Sequence, residues 1–134
     1  MYEEKINAYF DAPERRAELV EAISRLVRIR SVREEPLPGM PFGPGPAAAL
    51  AEGLKLAEEL GFATRNYDNY VGTADLNDKE TALHILCHLD VVGEGTGWTV
   101  TEPYAPKEVD GMLYGRGTDD DKGLSLIHIS EPTR

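Results

Sequence analysis

Two clusters of residues in this chain have the types and spacing that chemistry requires. In His88-Leu89-Asp90 an imidazole and a carboxylate stand two residues apart, which puts both on one face of an extended segment. A metal-bound imidazole commonly donates its second N–H to a carboxylate or carbonyl, and this fixes the tautomer and strengthens the ligand. The second cluster, Gly115-Arg-Gly-Thr-Asp-Asp-Asp-Lys-Gly123, joins three glycines to three consecutive carboxylates. Adjacent carboxylates repel unless a cation or water lies among them, and glycines allow the sharp turns that carry one beside another strand's end. Each cluster taken alone also has a plainer reading: a hydrogen-bonded histidine at a strand end, and a solvated acidic turn. His84 has the parity of His88 but no carboxylate beside it, and reads as structural.

Other chemistries fail on spacing. A dinucleotide fingerprint starting at Gly93 would need its third glycine at Trp98, and one starting at Gly115 would need it at Asp120. A phosphate loop needs Gly-Lys-Ser/Thr, whereas Lys122 is followed by Gly123. The aspartates are adjacent where a calcium-binding EF-hand alternates them, and no Gly-x-Ser-x-Gly elbow occurs. The 134 residues carry 14 Lys+Arg against 24 Asp+Glu, a formal charge of −10. That balance opposes nucleic-acid and anionic-membrane partners and favours a cation. Cys87 is the one cysteine, which excludes an internal disulfide or a four-thiolate zinc site. No signal-like or membrane-spanning apolar run is evident, so a soluble, cytoplasmic protein is expected. No residue pattern sets an oligomeric state.

The elements that must position these residues are expected from periodicity and punctuation. Asp11 with Glu14, and Pro13 between them, form a helix-capping pattern. Leu19, Val20, Ile23, Leu26 and Val27 then make an apolar stripe opposite Glu18, Glu21, Arg25 and Arg28. Pro36 to Pro46 predicts a packed loop anchored by Met40 and Phe42. A second helix is expected from about Ala47 to Leu60, with Leu50, Ala51, Leu54 and Ala57 inward and Gly61 as its stop. Phe62 to Tyr67 and Tyr70 to Leu76 read as a hairpin around Asp68-Asn69, and Lys107 to Tyr114 as a second around Asp110-Gly111. Thr81 to Cys87 is apolar almost throughout and predicts a strand buried on both faces. A further helix should begin after Lys122-Gly123. The expectation is an α/β fold with functional loops after the strand ends.

Taken together, Ile85-Leu-Cys-His-Leu-Asp-Val-Val92, Gly97-Trp-Thr99, Asp110-Gly-Met-Leu-Tyr-Gly-Arg-Gly-Thr118 and Asp120-Asp-Lys-Gly123 resemble the dinuclear-zinc aminoacylase and carboxypeptidase metallopeptidase family. The resemblance is greatest to its PepV-type, carnosinase-like dipeptidases, whose pattern Pro38-Gly-Met-Pro-Phe-Gly43 also matches. It spans about residues 6 to 123. It implies helices packed on a mixed, largely parallel sheet, with residues 1–123 as the N-terminal portion of a catalytic domain. It makes His88 a ligand of one zinc, Asp90 the carboxylate that orients His88 and serves catalysis, and Asp120 the carboxylate that bridges two zinc ions. The implied chemistry is hydrolysis of a short peptide by a metal-activated water. Asp121 stands where many deacylases of the family have methionine, which favours the dipeptidase branch.

In that family the general-base glutamate and the remaining ligands follow the Asp-Asp-Lys-Gly block, so this polypeptide is expected to bind zinc weakly and to be inactive by itself. Residues 124–134 depart from the family and are similar to translated sequencing-adapter read-through, which makes His128 a poor ligand candidate. Two alternatives stay open: an N-acyl-amino-acid deacylase or aminoacylase of the same family, and a non-catalytic acidic module that holds calcium or a cationic partner.

Overall fold

The computed structural model describes residues 12–130, together with Glu4 and Ala8. Within them the architecture is mixed α/β. Helix α1 (Pro13–Val27) leads through a proline-rich loop to α2 (Pro44–Glu59), then to a hairpin of β1 (Ala63–Tyr67) and β2 (Val71–Asp75). A long irregular stretch follows, then a short hairpin of β3 (Lys107–Val109) and β4 (Met112–Tyr114), and finally α3 (Lys122–Ser130).

Helix α1 buries the expected stripe. Leu26 and Val27 are fully covered, Ile23 nearly so, and these three join Leu56 of α2 and Leu126 of α3 in one cluster flanked by Leu19, Ala22, Leu89 and Leu113. Asp11, expected to cap this helix, lies outside the described residues; Ala12 occupies the N-cap and has no side chain that could accept a hydrogen bond. Helix α2 starts at Pro44, three residues before the expected start, because a proline in the first turn gives up an N–H that the helix does not need. Its buried face is Ala49, Gly53, Leu56 and Ala57; Ala51, expected inward, is exposed, and Leu50 and Leu54 are half-buried. Leu50 and Leu54 instead cover Gly72 of β2, where a methyl group would lie 2.9 and 2.8 Å from their side chains.

The proline-rich loop is packed. Leu37 and Met40 exchange two main-chain hydrogen bonds, Phe42 stands edge-on to Tyr70 with ring centroids 5.6 Å apart, and the Asn69 amide donates to Gly39 O. Both hairpins form at the expected turns. Asp110 and Gly111 have φ of 50° and 77°, the left-handed pair that a tight hairpin turn needs.

The main departure is the segment from Thr81 to Cys87. The sequence predicts a strand buried on both faces, but no strand pairs with it among the described residues. Leu83 is 75% and Leu86 93% exposed. An apolar run asks for neighbours on both sides; here both β-sheets are antiparallel two-stranded hairpins, and neither reaches it. His84, read as structural within that strand, is likewise exposed.

Candidate metal centre

The site lies where residues 88–92 meet the loop between β4 and α3. Ser31, just beyond α1 and fully buried, takes the place of a neighbouring strand: its hydroxyl donates to Leu89 O at 2.6 Å, and its carbonyl accepts the Val91 N–H at 3.1 Å. Leu89 is thereby pulled toward the core, and the flanking residues His88 and Asp90 face the opposite loop.

That loop turns on Gly117, with φ of 89°, where a Cβ would lie 2.9 Å from Val91 and 3.1 Å from Lys122. Thr118 closes the turn by donating its hydroxyl to Gly115 O at 3.1 Å. The Asp120–Asp121 peptide is cis. Lys122 then runs inward: it is completely buried, and its ammonium donates to Leu26 O at 2.9 Å and Ile29 O at 2.7 Å, at the C-terminal end of α1. A cation suits that end, where the helix dipole is negative. Burial pushes the Lys122 ammonium down to a pKa of about 8, with Asp90 opposing the shift.

The result is convergence on one histidine. His88 Nε2 lies 3.1 Å from Asp120 Oδ1, and His88 Nδ1 lies 3.1 Å from Asp90 O and 3.3 Å from Asp90 Oδ1. The three residues line an open cavity of about 310 Å³ with Val91, Arg116 and Asp119. Burial works against a charge on His88, but the hydrogen bond to the Asp90 carbonyl and the charges of Asp90, Asp121 and Asp120 outweigh it and raise the His88 pKa.

The donor set decides what fits here. Both ring nitrogens face oxygens that only accept: a carbonyl and an ionised carboxylate on one side, an ionised carboxylate on the other. A neutral imidazole has one N–H and one ring-nitrogen lone pair, so one nitrogen confronts an accepting oxygen unless the ring is protonated or a cation lies between them. A cation between Nε2 and Asp120 removes that conflict. With zinc bonds of about 2.0–2.2 Å to nitrogen and oxygen, a tetrahedral edge is about 3.3 Å, and the observed 3.1 Å is close to it. Nδ1–H would then donate to Asp90. The pair therefore fits two corners of a zinc site. A catalytic zinc takes three protein ligands, and no group of three His, Cys, Asp or Glu side chains able to hold a metal occurs among the described residues. His128 and Cys87 are exposed, and neither lines the cavity with His88, Asp90 and Asp120.

Residues with no role at the site assigned from sequence also shape the centre. Asp121 Oδ2 accepts the main-chain N–H of His88 at 3.0 Å, and the Ser125 hydroxyl donates to His88 O at 3.2 Å. Asp121 lies in the acidic run that the sequence singled out, but nothing local assigns it to the His88 main chain, and Ser31 and Ser125 belong to no pattern that would have flagged them. Beside the centre, the glycine-rich stretch 93–97 is folded onto a single carbonyl, Glu94 O, which accepts from Trp98 Nε1 at 2.7 Å and Arg116 Nη2 at 3.0 Å. The guanidinium of Arg116 lies over the Trp98 ring, 5.3 Å from its centroid, and forms the partition to a second cavity of about 320 Å³.

Comparison with known proteins places this sequence among peptidase-like chains. The pattern of "Peptidase family M20/M25/M40" matches residues 84–130, a stretch that contains His88, Asp90 and Asp120. The chain is 38% identical over 114 residues to "Putative dipeptidase YtjP" of Bacillus subtilis (strain 168), an overlap of 84% of this chain and 24% of that protein. It is 37% and 35% identical over 128 residues to proteins of Staphylococcus saprophyticus and Staphylococcus epidermidis that also bear the name "Putative dipeptidase", covering 94% of this chain and 26% of each. The chain thus spans about a quarter of the length of these relatives. Among the described residues no helix is long and apolar enough to cross a membrane. With the paired motifs and their meeting in space now both in view, residues 84–130 match the M20/M25/M40 peptidase family, and most of the chain is similar to about a quarter of the length of proteins named putative dipeptidase.

Proposed function

We propose that these residues are part of a zinc-dependent dipeptidase acting on short peptides in the cytoplasm, and that His88 and Asp120 are the two zinc ligands this segment contributes. The observation that carries the reading is the approach of His88 Nε2 to Asp120 Oδ1 at 3.1 Å, two acceptors of metal with no donor between them other than the ring itself. Zinc, when bound, supplies the Lewis acidity for amide hydrolysis. Asp90 holds the ring by its Nδ1 edge, so that Nε2 presents its lone pair toward Asp120. Asp120, whose side chain is 86% exposed, would hold metal with its carboxylate and supply negative charge to the site.

With two ligands, the 134-residue chain binds zinc weakly and does not hydrolyse dipeptides; the general base and further ligands come from residues outside it. The test is to assay the purified chain, and a longer polypeptide of the same gene, against dipeptides with a free N-terminus and against N-acylated amino acids, with zinc and with a chelator. The expected outcome is no turnover by the chain and zinc-dependent dipeptide cleavage by the longer polypeptide, lost in H88A and D120A. Chelator-sensitive hydrolysis by the chain alone would overturn the first part, and a preference for N-acylated substrates would move the reading to a deacylase. The family match runs past Gly123 to residue 130, so residues 124–130 are read with the family, and an adapter origin for residues 124–134 is the alternative. Amplifying the gene from source DNA decides between the two.

A further inference from the structure

We propose that Asp121 is a positioning residue that fixes His88 through its main chain, so that the neighbouring carboxylates Asp120 and Asp121 act on opposite ends of one histidine. This rests on the reading of His88 as a metal ligand for its purpose, but not for its geometry. Asp120 faces the ring at Nε2, while Asp121 Oδ2 takes the His88 main-chain N–H at 3.0 Å. The Ser125 hydroxyl, one helical turn after Asp121, takes hold of the other side of the same residue by donating to His88 O at 3.2 Å. Ser125 is itself held in register, since its N–H donates to Asp121 O at 2.7 Å.

The need for such a bracket follows from the rest of the segment. Residues 81–87 belong to no strand and their side chains are exposed, so a sheet ladder does not place His88. The first external anchor on the far side is Ser31, which binds Leu89 O and the Val91 N–H. Between an unpaired run and that anchor, the hydrogen bonds to Asp121 and Ser125 set the rotation of the His88 peptide planes, and hence the direction in which the imidazole leaves the backbone. The other end of the bracket is immobile, because Lys122 is buried and tied to Leu26 O and Ile29 O of α1. An acceptor at position 121 serves whether or not it is charged; an apolar side chain does not.

The experiment uses the 134-residue chain with D121A and D121N, read in two ways. Amide hydrogen exchange of His88, followed by ¹H–¹⁵N spectra without metal, reports the bracket itself. Calorimetric titration with zinc alone reports its effect on the ligand. In D121A the His88 amide should exchange at least tenfold faster while the amides of α1 are unchanged, and zinc affinity should fall about 10- to 100-fold, the range for residues that orient a metal ligand. In D121N, whose side-chain oxygen can still accept the N–H, exchange should stay within about threefold of the parent, since one neutral acceptor replaces a charged one. Unchanged His88 exchange in D121A, or equal loss in D121A and D121N with α1 intact, overturns the proposal. If D121A does not fold, D121N decides alone: retained protection supports the bracket and lost protection refutes it. A parent chain that shows the protected His88 amide but takes up no zinc speaks against the metal reading and leaves the positioning intact.

Discussion

Lys122 offers the most discriminating perturbation, because its burial and its bonds pull in opposite directions and pH separates them. The side chain is fully buried, with its nitrogen 2.9 Å from Leu26 O and 2.7 Å from Ile29 O. Its pKa falls from 10.5 to about 8 on folding, through burial, with the charge of Asp90 opposing the fall. A shift of that size corresponds to about 3 kcal/mol between the protonation states, at about 1.4 kcal/mol per pH unit. Between the folded and unfolded pKa the unfolded chain holds the extra proton, so stability rises with pH across that window. Integrating from pH 7 to pH 10, the parent should gain about 2–3 kcal/mol from this group. The neutral amine still has two hydrogens, enough for both carbonyls. In K122M the slope disappears. At pH 7 the loss of two hydrogen bonds, about 0.5–1.5 kcal/mol each for neutral pairs and more for charged ones, roughly offsets relief from the buried charge. The variant should therefore lie within about 2 kcal/mol of the parent at pH 7 and fall behind by about 2–3 kcal/mol more at pH 10. Urea unfolding followed by Trp98 fluorescence and far-ultraviolet circular dichroism at pH 7, 8, 9 and 10 measures the gap. Tyr104, whose pKa is raised by burial and then by Glu94, is common to both proteins and cancels. A gap that stays constant within about 0.5 kcal/mol across that range would refute the buried-ammonium argument.

Other outcomes are expected from the same structure. Leu126 is 1% exposed in the central cluster, so L126A should cost about 2–5 kcal/mol by the same denaturation assay. Leu86 is 93% exposed, so L86K should change the stability of this chain by less than about 0.5 kcal/mol, whereas burial in a strand would make it severely disruptive. Gly117 combines a φ of 89° with a 2.9 Å approach to Val91 at any added Cβ; G117A should destabilise by about 1–3 kcal/mol, from backbone strain and steric overlap together. H88A and D120A should each abolish measurable zinc uptake by the chain in calorimetric titration, and D90A should weaken it about 10- to 100-fold.

Local interactions explain where sequence reasoning succeeded. The stripe of Ile23, Leu26 and Val27 is a matter of 3.6-residue periodicity, and all three are buried. The turn at Asp110-Gly111 follows from the two residues that best tolerate positive φ, and both adopt it. Burial of Thr81 to Cys87 was not legible in this way, because burial is a property of neighbours: the apolar run states a demand, and the described residues supply no strand to meet it. Ala51 failed for the same reason, since which flank of α2 turns inward depends on where the first hairpin and α1 lie.

At the centre, residue type and spacing pointed to His88-Leu-Asp90 and to the acidic run, since metal chemistry restricts which side chains can serve and a two-residue step in an extended chain sets which can cooperate, while the choice of Asp120 within that run came from the family resemblance. Only the tertiary structure decided how the acidic run is divided, sending Asp120 to the imidazole and Asp121 to the main chain of the same residue. Three adjacent aspartates are equivalent as letters. They become distinct when Lys122 anchors the turn to the end of α1 and Ser31 draws Leu89 inward, contacts that join residues 96, 93 and 58 positions apart and that no local pattern encodes.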